Sequence, residues 1–142
     1  MVSLAATGQV IQTLRGHKDD VFAVAFSPDS RWLASASGDK SVKLWDVSTG
    51  SEVRTFVGHR SRVTTLAFSP AGRWLATGSW DHTIKIWDTE TGREVQTLAK
   101  DNRPVYTLCF NPDGRWLASG SEDGKIKFWK LSEPNPESTK VR

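Results

Sequence analysis

The sequence predicts an all-β chain made of three copies of one four-stranded antiparallel unit, and three observations carry that prediction. Tryptophan marks the unit ends: Trp45-Asp46, Trp87-Asp88 and Trp129-Lys130 fall 87 − 45 = 42 and 129 − 87 = 42 residues apart. Other landmarks keep the same step. Arg31-Trp32-Leu33-Ala34 recurs as Arg73-Trp74-Leu75-Ala76 and Arg115-Trp116-Leu117-Ala118, and Ser27-Pro28 recurs as Ser69-Pro70 and, altered, as Asn111-Pro112. Within each unit, apolar and β-branched runs of about six residues sit between turn residues, with no competing helical period. A unit with two apolar faces cannot bury both alone, so copies must stack on one another.

The elements follow in order. Val21 to Phe26 is a dense apolar run suited to a strand covered on both faces. Ser27-Pro28-Asp29-Ser30 is turn chemistry, with proline setting φ. Trp32 to Ser37 is the second strand, and Gly38-Asp39-Lys40 forms a tight hairpin into Ser41 to Asp46. Ser48-Thr49-Gly50 then turns the chain into an outer strand from Glu52 to Val57. Such an outer segment precedes each unit: Thr49 to Phe56 before the second, Thr91 to Leu98 before the third, and Thr7-Gly8-Gln9-Val10-Ile11-Gln12-Thr13-Leu14 before the first. After Trp129 the chain runs Leu131-Ser132-Glu133-Pro134-Asn135-Pro136, a linker composition that cannot supply a ladder strand. The expected organisation is a lead at 1–7, a spare strand at 8–14, units at 15–57, 58–99 and 100–131, and a flexible tail at 132–142. The third unit lacks its outer strand.

Composition narrows the function. The 142 residues suit one ordinary domain, and 25% charged against 37% hydrophobic residues is soluble globular composition. No apolar run approaches the roughly 18 residues that cross a bilayer, and the first residues do not read as a secretory signal, so a cytoplasmic location is expected without membrane contact. The single cysteine, Cys109, excludes a disulfide framework and a multi-cysteine zinc site. It stands where Ala25 and Ala67 stand in the other units, which marks it as a small core residue. His82 shares the hairpin position of Lys40 and Gly124, where a solvated turn residue is expected. No metal or cofactor constellation is visible. The net charge of +3 is interspersed, which disfavours nucleic acid as a partner.

Gly16-His17 at the start of a unit, Leu33-Ala34-Ser35-Ala36-Ser37-Gly38-Asp39 in its middle and Trp45-Asp46 near its end resemble the WD40 repeat. The resemblance covers residues 8–131 in register. It implies that each unit is one blade of a β-propeller and that a buried network links a loop histidine, a strand hydroxyl, a turn aspartate and the tryptophan. Carried over by position, the network is His17, Ser35, Asp39 and Trp45, then His59, Thr77, Asp81 and Trp87. The third unit has Lys100-Asp101 in place of Gly-His and keeps only Ser119, Asp123 and Trp129, so that blade is expected to be the least rigid. Histidine, serine and aspartate also make a hydrolase triad. Here the set occurs twice in equivalent positions without a Gly-x-Ser-x-Gly elbow, so a structural staple is expected and an enzyme is not. An imidazole that donates from one nitrogen and accepts at the other can bridge carboxylate and hydroxyl, with the indole closing the chain.

Three blades are too few to close a propeller, because each would have to turn about 120° and propellers typically have four to eight. Open ends expose apolar faces and an unpaired edge, which a head-to-tail ring of copies removes. A homodimer of six blades at roughly 60° is expected ahead of a homotrimer of nine at roughly 40°, with a fragment of a larger propeller as the remaining case. The 8–14 strand is expected to complete the last blade of its own chain or of a neighbour, as a latch strand does in this family. The resemblance further implies a non-catalytic scaffold that binds a protein or peptide. The loop positions that meet partners map to Asp20, Phe22 and Gly38, to Arg62, Thr64 and Trp80, and to Pro104, Tyr106 and Glu122. Trp80 stands out, since Gly38 and Glu122 show that the blade does not need an indole there. Two other functions remain: a structural or engineered symmetric propeller without a ligand, and a weak nucleic-acid binder using Lys18, Arg60, Arg62 and Arg103, diluted by Asp19, Asp20 and Glu122.

Overall fold

A computed structural model describes residues 8–98 and 103–131. The strands in order are β1 (Val21–Phe26), β2 (Trp32–Ser37), β3 (Val42–Asp46), β4 (Glu52–Phe56), β5 (Val63–Phe68), β6 (Trp74–Ser79), β7 (Ile84–Asp88), β8 (Glu94–Leu98), β9 (Val105–Phe110), β10 (Trp116–Ser121) and β11 (Ile126–Lys130). They form antiparallel sheets β1-β2-β3-β4, β5-β6-β7-β8 and β9-β10-β11. Repetition extends to the register. Leu33 faces Trp45 as Leu75 faces Trp87 and Leu117 faces Trp129, and the inner pairing breaks after Val21 and after Val63 alike.

The recurring Ser-Pro and Asn-Pro turns have a common mechanism. The Trp32 amide donates to Ser27 Oγ at 2.9 Å and the Trp74 amide to Ser69 Oγ at 3.0 Å. Asn111 serves equally because its Oδ1 accepts from the Trp116 amide at 2.8 Å. Only an acceptor at that distance is required. The β2–β3 hairpin and its equivalents place Lys40, His82 and Gly124 at φ of 77°, 73° and 78°. His82 therefore holds a left-handed turn position that glycine fills in the third unit.

The cores lie between sheets. Ala34, Ala36, Val42, Leu44 and Phe56 of the first sheet pack with Val63, Leu66, Leu75 and Trp87 of the second. Ala76, Ile84, Ile86 and Leu98 of the second pack with Val105, Leu108 and Leu117 of the third. Burial of equivalent residues therefore depends on whether a neighbouring sheet is present. Val24 is 60% exposed, while its equivalents Leu66 and Leu108 are 7% exposed. At the other end Phe128 is 75% exposed, against 2% for Leu44 and 3% for Ile86. Cys109 also departs from its expected place in a core: it is exposed, because it lies on the uncovered face of the third sheet, whereas Ala25 and Ala67 pack against the two cores.

The 8–14 segment is in no strand, and among the described residues the third sheet has three strands. The segment nevertheless has a defined place. Gly8 has φ of 75°, matching Gly50 at 75° and Gly92 at 79°, the turn glycines that lead into β4 and β8. Gln12 lies so close to Gly50 that an added Cβ would collide with its amide, just as one on Gly92 would meet Arg54 at 2.9 Å. The two contacts are related by the repeat, since 54 − 12 = 42 and 92 − 50 = 42. Gln12 and Leu14 thus lie beside the first sheet's Gly50 turn as Arg54 of β4 lies beside Gly92 of the second. The lead at 1–7, the Lys100-Asp101 pair and the tail at 132–142 lie outside the described residues.

Candidate functional site

The two complete networks have the same geometry. His17 Nδ1 is 2.9 Å from Asp39 Oδ2, its Nε2 is 2.6 Å from Ser35 Oγ, and Trp45 Nε1 donates to Ser35 Oγ at 2.8 Å. In the second unit His59 spans Asp81 at 2.9 Å and Thr77 at 2.7 Å, and Trp87 Nε1 donates to Thr77 Oγ1 at 2.8 Å. The preceding glycine has a steric reason. A Cβ on Gly16 would meet the Trp45 ring at 3.1 Å, and one on Gly58 would meet the Trp87 ring at 3.1 Å. In the third unit the structure joins Trp129 Nε1 to Ser119 Oγ at 2.9 Å. Asp123 instead accepts from Ser121 Oγ and from the Lys125 amide.

A hydroxyl within reach of a histidine paired with an aspartate has the connectivity of a nucleophile and its base. Its surroundings oppose that use. Ser35 and Thr77 are buried beneath the indoles that donate to them, so neither oxygen can meet a substrate. An imidazole donating from Nδ1 and accepting at Nε2 lets the hydroxyl accept from the indole and donate to histidine, which satisfies every group in the chain.

Sequence reasoning missed one member of each network. Ser41 Oγ donates to Asp39 Oδ1 at 2.6 Å, and Thr83 Oγ1 does the same to Asp81 at 2.6 Å. The signal was an aspartate followed two residues later by a hydroxyl, replaced by Lys125 in the third unit. Burial pushes the Asp39 carboxyl up, but hydrogen bonds from Ser41, the Lys18 amide and His17 outweigh it and hold its pKa well below the ordinary range. Burial likewise opposes, and His59, Thr83 and the Arg60 amide overcome, at Asp81. The sign follows: a carboxyl depressed in the folded state contributes its full stability above the unfolded value of 3.8 and loses it as pH falls toward the folded value. We therefore expect the melting temperature to hold near neutral pH and to fall below about pH 4, with Asp81→Asn showing a shallower acid decline; thermal melts across that range check it.

The loop face gathers the other predicted residues unevenly. Arg62 lies with its guanidinium carbon 4.9 Å from the Trp80 ring centre and 6.0 Å from that of Phe22, so the three form one stack across the first two sheets. Phe22 and Trp80 are exposed. Glu122 accepts from Arg103 Nη1 at 3.3 Å and from the Tyr106 hydroxyl at 3.3 Å, a separate cluster on the third sheet. Thr64 is engaged structurally: its hydroxyl donates to the Val105 carbonyl at 2.5 Å and ties the second sheet to the third. Asp20 is exposed, and its carbonyl accepts from the Gly38 amide at 2.8 Å. Among the described residues no group of three His, Cys, Asp or Glu side chains is placed to hold a metal ion.

Comparison with known proteins places this geometry. Residues 2–133 match the family described as the IFT122 first beta-propeller. The chain belongs to this WD40-repeat propeller family. The WD40 chain is 49% identical over 39 residues to the transcriptional repressor rco-1 of Neurospora crassa, a stretch covering 28% of this chain and 6% of that protein. It is 56% identical over 36 residues to the Notchless protein homolog of Arabidopsis thaliana, covering 25% of this chain and 8% of the relative. It is 50% identical over 40 residues to the intraflagellar transport protein 122 homolog of Danio rerio, covering 28% and 3%. Each of these matches is about one repeat long and a small part of the relative. What they share with this WD40 chain is the blade itself.

Proposed function

We propose that the chain is a non-catalytic WD40 scaffold that binds a protein or peptide on its loop face and works as a closed head-to-tail ring. Membership of a propeller family that generally supplies protein-interaction scaffolds supports the first part. One observation supports the second: Gln12 and Leu14 lie against the Gly50 turn of the first sheet as Arg54 of β4 lies against Gly92, and among the described residues the third sheet has no fourth strand. Each chain holds the piece that the next one needs.

The register of such a seam follows from the repeat. Val42 pairs with Phe56 and Ile84 with Leu98, so Ile126 pairs with Leu14 of a neighbouring chain and Phe128 with its Gln12. The third sheet's uncovered face holds a hollow of about 340 Å³ lined by Cys109, Asn111, Trp116, Leu117, Ala118 and Phe128. The neighbour's Val24 and Phe26 would fill it, as Leu66 and Phe68 cover the first sheet. Two chains, giving six blades, fit the usual ring better than three.

For binding, Trp80 is the anchor, because a large exposed indole supplies rigid contact area at low entropic cost. Screening a peptide library against the assembled protein tests this. Trp80→Ala is expected to weaken a bound peptide by about 1 to 2 kcal/mol at unchanged assembly mass. Equal binding by that variant would remove the loop-face assignment.

A further inference from the structure

Three arginines on this chain lie over indoles: Arg31, at 4.6 Å from the Trp32 ring centre, Arg62 and Arg73. Among the described residues one of them has its fork closed by a carboxylate. Arg73 lies 4.9 Å from the Trp74 ring centre, and its fork is closed by Asp88, with Nη2 to Oδ2 at 3.1 Å and Nε to Oδ1 at 3.3 Å. Arg62 is stacked at the same distance on Trp80 and has Phe22 on hand as well. Yet among the described residues no carboxylate lies within 4 Å of its guanidinium. Arg73 thus shows one way in which an arginine held against an indole is completed; Arg31 is open like Arg62 but has, among the described residues, one ring beside it where Arg62 has two.

We propose that the Phe22–Arg62–Trp80 stack receives the side-chain carboxylate of an acidic peptide segment, with Arg62 holding the acid and the two rings holding its apolar neighbours. This rests on the scaffold reading and names the chemistry of its partner. Stacking engages the guanidinium faces and leaves its in-plane N–H donors as a fork matched to a carboxylate. Because the rings already restrict the side chain, less freedom is lost on binding than for a free arginine. The stack spans blades one and two, so an extended segment can cross it with residues on either side of the acid against Phe22 and Trp80.

Charge on the same face selects among anions. A phosphorylated residue calls for a cluster of arginines, whereas of the other loop arginines Arg103 is paired with Glu122 and, among the described residues, no second arginine lies over the Phe22 or Trp80 ring. Asp19, Asp20 and Glu122 on these loops repel a dianion or a nucleic-acid backbone more than a single carboxylate. A chain-terminal carboxylate is ordinarily captured by converging backbone N–H groups, while here one exposed side-chain fork presents itself. Gly38, the equivalent of Trp80 in the first blade, puts no side chain beside Phe22, and the Asp19 carboxylate stands there instead: a Cβ on Gly38 would meet Asp19 Oδ2 at 2.9 Å and the Phe22 ring at 3.3 Å.

The test is fluorescence anisotropy with short end-capped peptides carrying a central Leu-Glu-Leu, matched Leu-Gln-Leu and Leu-phosphoserine-Leu peptides, and an oligouridylate. The glutamate peptide should bind at least about tenfold tighter than the glutamine peptide. Arg62→Gln should erase that preference, and Arg62→Lys should restore only part of it, because ammonium keeps the charge but not the fork. Both variants should keep the wild-type melting temperature and assembly mass. Equal binding of the glutamate and glutamine peptides, or a preference that survives Arg62→Gln, overturns the proposal. Tighter phosphoserine binding, or Arg62-dependent oligouridylate binding without peptide binding, overturns it in favour of those ligands. If neutral peptides bind in a Trp80-dependent way and acidic ones do not, the acid specificity fails while the scaffold reading stands; if no peptide binds, both fall.

Discussion

Removing residues 1–14 is expected to open every seam of the assembled protein. The truncated chain keeps its three sheets and both inter-sheet cores, none of which uses those residues. It loses the strand that would pair with β11, together with Leu14, the equivalent of the buried Phe56 and Leu98. Each β11 edge then stays bare beside an exposed Ile126 and Phe128, a combination that invites non-specific association. Size-exclusion chromatography should show the discrete species replaced by monomer and heterogeneous aggregate. A synthetic peptide of residues 8–14 supplied in excess should bind the truncated chain and reduce aggregation. An unchanged elution volume after truncation would refute the role of the segment.

The second large effect concerns the networks, where the repeats provide an internal control. Asp81→Ala removes the acceptor for the His59 ring, the Thr83 hydroxyl and two backbone amides. Buried donors left without partners cost about 1 to 3 kcal/mol, several degrees in melting temperature for a chain of this size. Asp123→Ala should cost less than about 1 kcal/mol, because that carboxylate is exposed and, among the described residues, bonds within its own turn. Equal losses at the two positions, measured by thermal and chemical denaturation, would show that histidine does not couple the turn to the blade.

What could be read in the sequence was whatever repeats at a fixed step. Trp45, Trp87 and Trp129, the hydroxyls they donate to and the paired histidines all keep the 42-residue interval, so position in one unit assigned position in the next. Contacts between units carry no such marker. Phe22 meets Arg62 across two blades, although one is a strand residue and the other precedes the next unit's first strand. Thr64 looked like a loop-face contact, but the Val105 carbonyl it bonds belongs to a different unit. Cys109 illustrates the same point: its place in the strand is that of a core residue, and it is exposed because no sheet among the described residues covers that face. Ser41 and Thr83 were legible but overlooked, since an aspartate followed by a hydroxyl also reads as ordinary turn chemistry.

The central proposal is that copies of this chain close head-to-tail into a ring. Light scattering of the purified full chain across a wide concentration range tests it most directly. The account predicts one species of two times 15.8 kDa, or three times if nine blades close, with the mass unchanged on dilution until the seams dissociate. A folded species of 15.8 kDa at every concentration would contradict it.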